Sequence, residues 1–203
     1  FLALFAGCVL PVRFSREPAS DLYVDPQPVS IDGYDDVAME PFISPDGRFL
    51  FFNNSNDRHV LTQLRFAQRT GPLTFKYRGK LDGANSKTFG GVPSMDRAGH
   101  LYFTSPREYL RTLDSIFVGR FDGSRLRDVK VAAGDIRPPR LGKVNMDVGI
   151  SPAGGTMYIS RATFIPPLPL PAPVRSKLMI ARLKDGAWEM DPKSEEFMKN
   201  VNT

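Results

Sequence analysis

Across 203 residues the sequence holds one cysteine, two histidines and one tryptophan. The lone Cys8 cannot form a disulfide within the chain, which excludes a disulfide-stapled scaffold. His59 and His100 are too few for a histidine-rich metal centre. The longest apolar run, at the N-terminus, falls well short of the about 20 residues that cross a bilayer as a helix. There is no glycine-rich phosphate loop, no haem-attachment motif and no zinc-ligand spacing, so no cofactor is implied. A basic stripe with interleaved aromatics is also missing. Arg65, Arg69, Lys76, Arg78 and Lys80 are scattered, and a net charge of +5 reads as a solvated surface, with no nucleic-acid partner.

What is abundant is Phe (15), Pro (18) and Gly (17). Aromatics between frequent turn formers favour short strands over long helices. The opening residues, from Phe1 to Leu10, lack a basic n-region but suit the end of a signal peptide. Phe5-Ala6-Gly7-Cys8 resembles the lipobox of bacterial lipoproteins, in which the cysteine becomes the lipidated first residue. Three readings stand: lipidation at Cys8, an ordinary cleaved signal, or a buried strand. The first two place the protein outside the cytoplasm, at the periplasm or outer surface. Residues 1–8 are thus read as a signal remnant. Residues 9–33, punctuated by Pro18, Pro26 and Pro28, are read as an extended lead-in.

An internal repeat dominates the rest. Glu40–Ser55, Gly90–Ser105 and Asp147–Ser160 share one grammar: a short strand ending at serine, a Pro/Asp/Gly turn, then a strongly apolar strand. Aligned on Ser44, Ser94 and Ser151, the spacings are 50 and 57 residues. Phe49-Leu50-Phe51-Phe52 is apolar on both faces, as a strand sandwiched between sheets requires. Further strands follow at Leu61–Phe66, Ser115–Phe121 and Leu178–Leu183, two of them running into Asp-Gly turns. Outer strands follow where Leu73, Phe75 and Tyr77 alternate with polar residues and where Trp188 and Met190 flank Glu189. Four antiparallel strands per unit make the blade of a β-propeller. The expected fold class is therefore all-β, with about three blades near residues 38–82, 88–132 and 145–191. Because a closed ring takes four to eight blades, residues 34–203 are read as a fragment of a six- to eight-bladed ring, with an apolar blade face uncovered at each end.

Ser44-Pro45-Asp46-Gly47, with Arg48-Phe49-Leu50-Phe51-Phe52 after it, resembles the WD-like repeat of TolB-type propellers. The resemblance covers about Tyr34 to Trp188. It implies an envelope-associated binding module that holds a protein or small ligand at the channel mouth, with the membrane reached only through a lipid on Cys8. It also admits an alternative: the propeller part of a larger hydrolase, prolyl-oligopeptidase-like or a glycosidase. The G-x-S-x-G nucleophile motif is absent from this chain, and no catalytic residue is assigned. Propeller glycosidases place carboxylates on inner strands. Glu40 and Asp147 stand four residues before their repeat serines and are candidate ligand-binding groups. Arg107 and Arg161 follow second strands, where loops gather on one rim, and are candidates for an anionic partner. Asn53, Asn54, Asn56 and Asp57 carry oxygen donors that suit either Ca²⁺ or turn chemistry. No metal site is assigned. Pro166–Pro173 reads as a stiff polyproline loop.

Overall fold

The computed structural model describes residues 26–57, 59–164 and 173–202. The readings that concern Cys8, the signal remnant and most of the proline run lie outside these residues. Thirteen strands and two one-turn helices are found among them: β1 (Ser30–Asp32), β2 (Met39–Ile43), β3 (Phe49–Asn53), β4 (Leu64–Arg69), β5 (Thr74–Lys80), β6 (Gly91–Met95), β7 (His100–Glu108), α1 (Tyr109–Thr112), β8 (Asp114–Phe121), β9 (Leu126–Val131), β10 (Lys143–Ile150), β11 (Thr156–Thr163), β12 (Arg175–Lys184), β13 (Ala187–Met190) and α2 (Ser194–Phe197). They make three sheets. Sheet 1 is β1-β5-β4-β3-β2, sheet 2 is β6-β7-β8-β9 and sheet 3 is β10-β11-β12-β13. Apart from β1, each sheet is an antiparallel meander in sequence order.

The sheets pack face to face through two apolar layers. Phe49, Phe51 and Phe66 of sheet 1 meet Leu101, Phe103 and Leu126 of sheet 2. Tyr102 and Ile116 of sheet 2 meet Met157, Ile159 and Trp188 of sheet 3. Alternation along each central strand supplies both layers, because successive side chains point to opposite faces. This is the blade-on-blade packing of a propeller.

The turn that opens each unit is built in the same way, but in the second unit it sits two residues later than the serine alignment predicts. Ser44 Oγ accepts the Phe49 N–H and Ser151 Oγ accepts the Thr156 N–H. In sheet 2 the same bond, from His100 N–H, goes to Asp96 Oδ1, and not to Ser94. The N–H groups of Gly47, Gly99 and Gly154 bond the carbonyls of Ser44, Asp96 and Ser151. These glycines hold φ values of 72°, 83° and 77°, a region costly for other residues. The equivalent turn residues are therefore Ser44, Asp96 and Ser151. In sheet 2 an aspartate does the work of the serine. Ser94 Oγ instead accepts the Ile150 N–H across the boundary between sheets 2 and 3.

The outer strand of every sheet is paired by the segment that precedes that sheet. The Leu126 N–H bonds the Asp82 carbonyl, and Trp188 exchanges bonds with Ala133 and Asp135. In sheet 1 the same position is filled by β1, with Ile31 opposite Phe75 in parallel register. Residues 30–32, read from sequence as part of an unpacked lead-in, thus form a strand. The face of sheet 1 turned away from sheet 2, with Leu50, Phe52, Ala67 and Phe75, is covered by Ile31 and Tyr34 and is buried. The Tyr34 ring stands edge-on to Phe52 at 5.0 Å. One of the two faces expected to be uncovered is therefore covered. The far face of sheet 3 leaves Tyr158 42 % exposed, where its counterparts Phe51 and Tyr102 are buried between sheets.

Two asparagines finish strand edges. Asn85 accepts the Leu64 N–H and donates to the Leu64 carbonyl, both at 2.8 Å, and Asn202 does the same for Leu178 at 2.7 and 2.8 Å. Each amide stands in for a neighbouring strand. Leu64 is fully buried. Replacing Asn85 with Ala is expected to cost about 1–3 kcal/mol, because the buried Leu64 N–H loses its partner while the carbonyl keeps the Leu81 N–H. Urea unfolding measures this, and an unchanged midpoint would contradict the assignment.

Candidate functional site

Short turns gather at one end of the three sheets and long loops at the other. At the turn end, between sheets 1 and 2, lies a cleft of about 510 Å³. Its walls are the turn from Ser44 to Phe49, the turn from Met95 to Gly99 and the β8–β9 hairpin at Phe121–Gly123. Phe49 and Phe121, edge-to-face at 5.0 Å, form the floor. The equivalent space between sheets 2 and 3 is closed. There the Arg97 N–H bonds the Pro152 carbonyl, and a Cβ at Gly154 would come within 2.9 Å of Asp96 Oδ2.

Three carboxylates border the cleft. For Asp46, burial pushes the pKa up, but the Ser44 hydroxyl at 2.5 Å and the Arg48 N–H at 3.0 Å outweigh it and hold the carboxyl below its usual range. Asp122 is held ionised by the Ser124 hydroxyl and the N–H groups of Arg125 and Ser124, and it also pairs with Arg127 at 2.5 Å. Asp96 is buried and pairs with His100 at 2.9 Å. The Arg48 guanidinium lies over the Phe49 ring at 5.5 Å, so the floor already carries one cation against an aromatic face.

The residues singled out from sequence lie elsewhere, and most of their polar atoms are engaged at sheet boundaries. Glu40 and Val92 occupy equivalent bulged positions with φ of 50° and 53°. Glu40 Oε2 accepts the Val92 N–H at 2.9 Å and the Asn53 amide at 2.5 Å, while Oε1 accepts the Asn56 amide at 3.2 Å. It bridges sheets 1 and 2. Gly91 leaves the room for it, since a Cβ there would lie 2.9 Å from Oε2. Arg107 donates to the Ala84 carbonyl and stacks 4.4 Å over Phe117. Arg161 donates to Asn145 Oδ1 at 2.8 Å and to the Ile136 carbonyl at 2.7 Å. Burial lowers the pKa of both guanidinium groups. Asp147 is exposed on β10. In the asparagine cluster, Asn53 and Asn56 bond Glu40, and Asn54 bonds Leu61 and Gln63. Among the described residues no group of three or more His, Cys, Asp or Glu is placed to hold a metal ion, and no helix is long and apolar enough to cross a membrane.

No protein-family model and no curated protein sequence matches the chain. Among solved structures, it is similar to Zg3597, a family 117 glycoside hydrolase produced by the marine bacterium Zobellia galactanivorans. That match has 12% identity over 82% of this chain and 60% of that one, with a TM-score of 0.55. A prolyl endopeptidase (18% identity, 74% and 19% coverage, TM-score 0.45) and a TolB-type protein described as putative, from Agrobacterium tumefaciens (14%, 73% and 62%, 0.41), are more distant in shape. The chain spans about three fifths or less of the length of these structures. What it shares with Zg3597 is a fold, and the fold is of β-propeller type.

Proposed function

We propose that this chain is the propeller part of a binding protein and that its ligand enters the cleft between sheets 1 and 2. The observation that carries the reading is the contrast between the two boundaries. Turns that touch between sheets 2 and 3 stand apart between sheets 1 and 2, over a floor of Phe49 and Phe121. The volume lies in the range of small-molecule sites. Ionised Asp46 and Asp122 beside aromatic rings suit a ligand that carries a guanidinium or ammonium group, such as a basic peptide segment. The proposed role is non-catalytic, and Glu40, with three hydrogen bonds to its carboxylate, is read as a bridge between sheets 1 and 2. The reading extends to an exported protein of the bacterial envelope, supported by the apolar opening that ends in Ala6-Gly7-Cys8.

The test is calorimetric titration with an arginine tripeptide and with its uncharged citrulline counterpart. Binding of the first alone, weakened about tenfold or more by Asp46→Asn, is the expected result. Asp46 titrates below its usual value, so the affinity should hold above about pH 4 and fall as acid protonates it. Equal binding of both peptides, or of neither, removes the reading.

A further inference from the structure

The end opposite the cleft carries a pattern of its own. Its loops form one continuous surface. The Gly90 N–H bonds the Thr62 carbonyl at 3.0 Å, and Ser105 Oγ bonds the Phe89 carbonyl at 2.9 Å. Tyr109 Oη accepts the Gly142 N–H and donates to the Lys143 carbonyl, both at 2.9 Å. The loop after β3, the connector to sheet 2, the α1 turn and the connector to sheet 3 are thereby joined in sequence.

From each of these four segments a large apolar side chain stands out into solvent. Leu110 is 86 % exposed, Leu141 59 %, and Phe89 and Leu61 46 % each. Three of the four have a base within two residues: Lys87 beside Phe89, Arg111 beside Leu110, and Arg140 with Lys143 around Leu141. Two of the nearby acids are already neutralised. Glu108 pairs with Arg111 at 2.6 Å and Asp114 with Arg137 at 3.3 Å. Among the described residues Lys87, Arg140 and Lys143 form no ion pair, against one exposed carboxylate, Asp57, in the loop that carries Leu61. The turn end is mixed in charge, with Asp46, Asp96 and Asp122 beside Arg48 and Arg97 around its cleft.

We infer that the loop end is a docking surface for an anionic phospholipid bilayer. The apolar tips enter the headgroup–acyl boundary while the neighbouring bases meet lipid phosphates. Separate tips on separate loops suit a yielding surface, whereas a protein partner would favour one contiguous patch with lysine depleted from its centre. Apolar insertion and basic residues add in binding to anionic membranes. The arrangement turns the cleft away from the bilayer, and it is independent of whether the cleft binds a cation.

Flotation of the whole chain with vesicles tests this, with Cys8→Ser introduced so that no lipid on the protein contributes. The protein should float with vesicles of phosphatidylcholine and phosphatidylglycerol, and not with phosphatidylcholine alone. The double variant Leu110→Asp, Leu141→Asp should lose about tenfold or more of that binding with its melting curve unchanged. Leu73→Asp, an exposed leucine at the turn end, should bind like the parent. Absence of flotation overturns the inference. So does equal flotation with both vesicle types, an equal loss on Leu73→Asp, or flotation undiminished by the double variant.

Discussion

Gly134→Ala should destabilise the protein by about 3–5 kcal/mol, among the largest effects of any single methyl addition. Gly134 has φ of 126°, and a Cβ there would lie 2.1 Å from the Trp188 carbonyl oxygen and 2.3 Å from its nitrogen. Neither atom can retreat. Trp188 is 2 % exposed and is held on both sides of Gly134 by bonds to Ala133 and Asp135. The connector would have to leave the edge of sheet 3, taking Ala132 and Ile136 out of the layer they share with sheets 2 and 3. Gly83, whose Cβ would come within 2.0 Å of the Leu126 carbonyl, predicts the same at the previous boundary. Gly155→Ala is the control, since a Cβ there meets nothing within 4 Å. Denaturant unfolding compares the three, and a Gly134 variant as stable as the Gly155 variant would contradict the close approach.

Tyr102→Asp and Tyr158→Asp are the same substitution at the same place in consecutive sheets, and they should differ by several kcal/mol. Tyr102 lies between sheets, edge-on to Trp188 at 5.9 Å. Its loss leaves a cavity and puts a carboxylate among apolar neighbours, which costs about 4 kcal/mol or more. Tyr158 faces solvent on sheet 3, and its replacement should cost about 1 kcal/mol at most. Melting temperatures of the two variants decide it. Equal, large losses would mean that another surface covers Tyr158.

Local chemistry was legible from sequence, and chemistry between sheets was not. The Ser44 turn could be read because each of its bonds joins residues five apart or fewer. The serine alignment misplaces the second unit because Ser94 stands near the place where Asp96 does the equivalent work. Pro41 and Pro93, each three residues before the true turn residue, carried the register. β1 gave no strand signal because Ser30-Ile31-Asp32 pairs only where the edge of β5 offers open main-chain groups. Glu40, Arg107 and Arg161 stand out in the sequence as charges near strand ends. Whether such a charge faces a ligand or a neighbour's main chain depends on how sheets some fifty residues apart are set together. The cleft was invisible for the same reason: its walls come from two units.

The pairing of each outer strand by the segment before it has a consequence for biosynthesis. As the chain leaves the ribosome, the residues that finish the edge of a sheet emerge ahead of that sheet. Sheet 2 can close its rim against Asp82 as soon as β9 is released, and sheet 3 against Ala133–Asp135 once β13 is out. No rim has to await a later segment, so the nascent chain need not display a long unpaired edge to its neighbours. The same order sets where the polypeptide can be cut: a module excised at the first residue of its inner strand would leave its own rim behind.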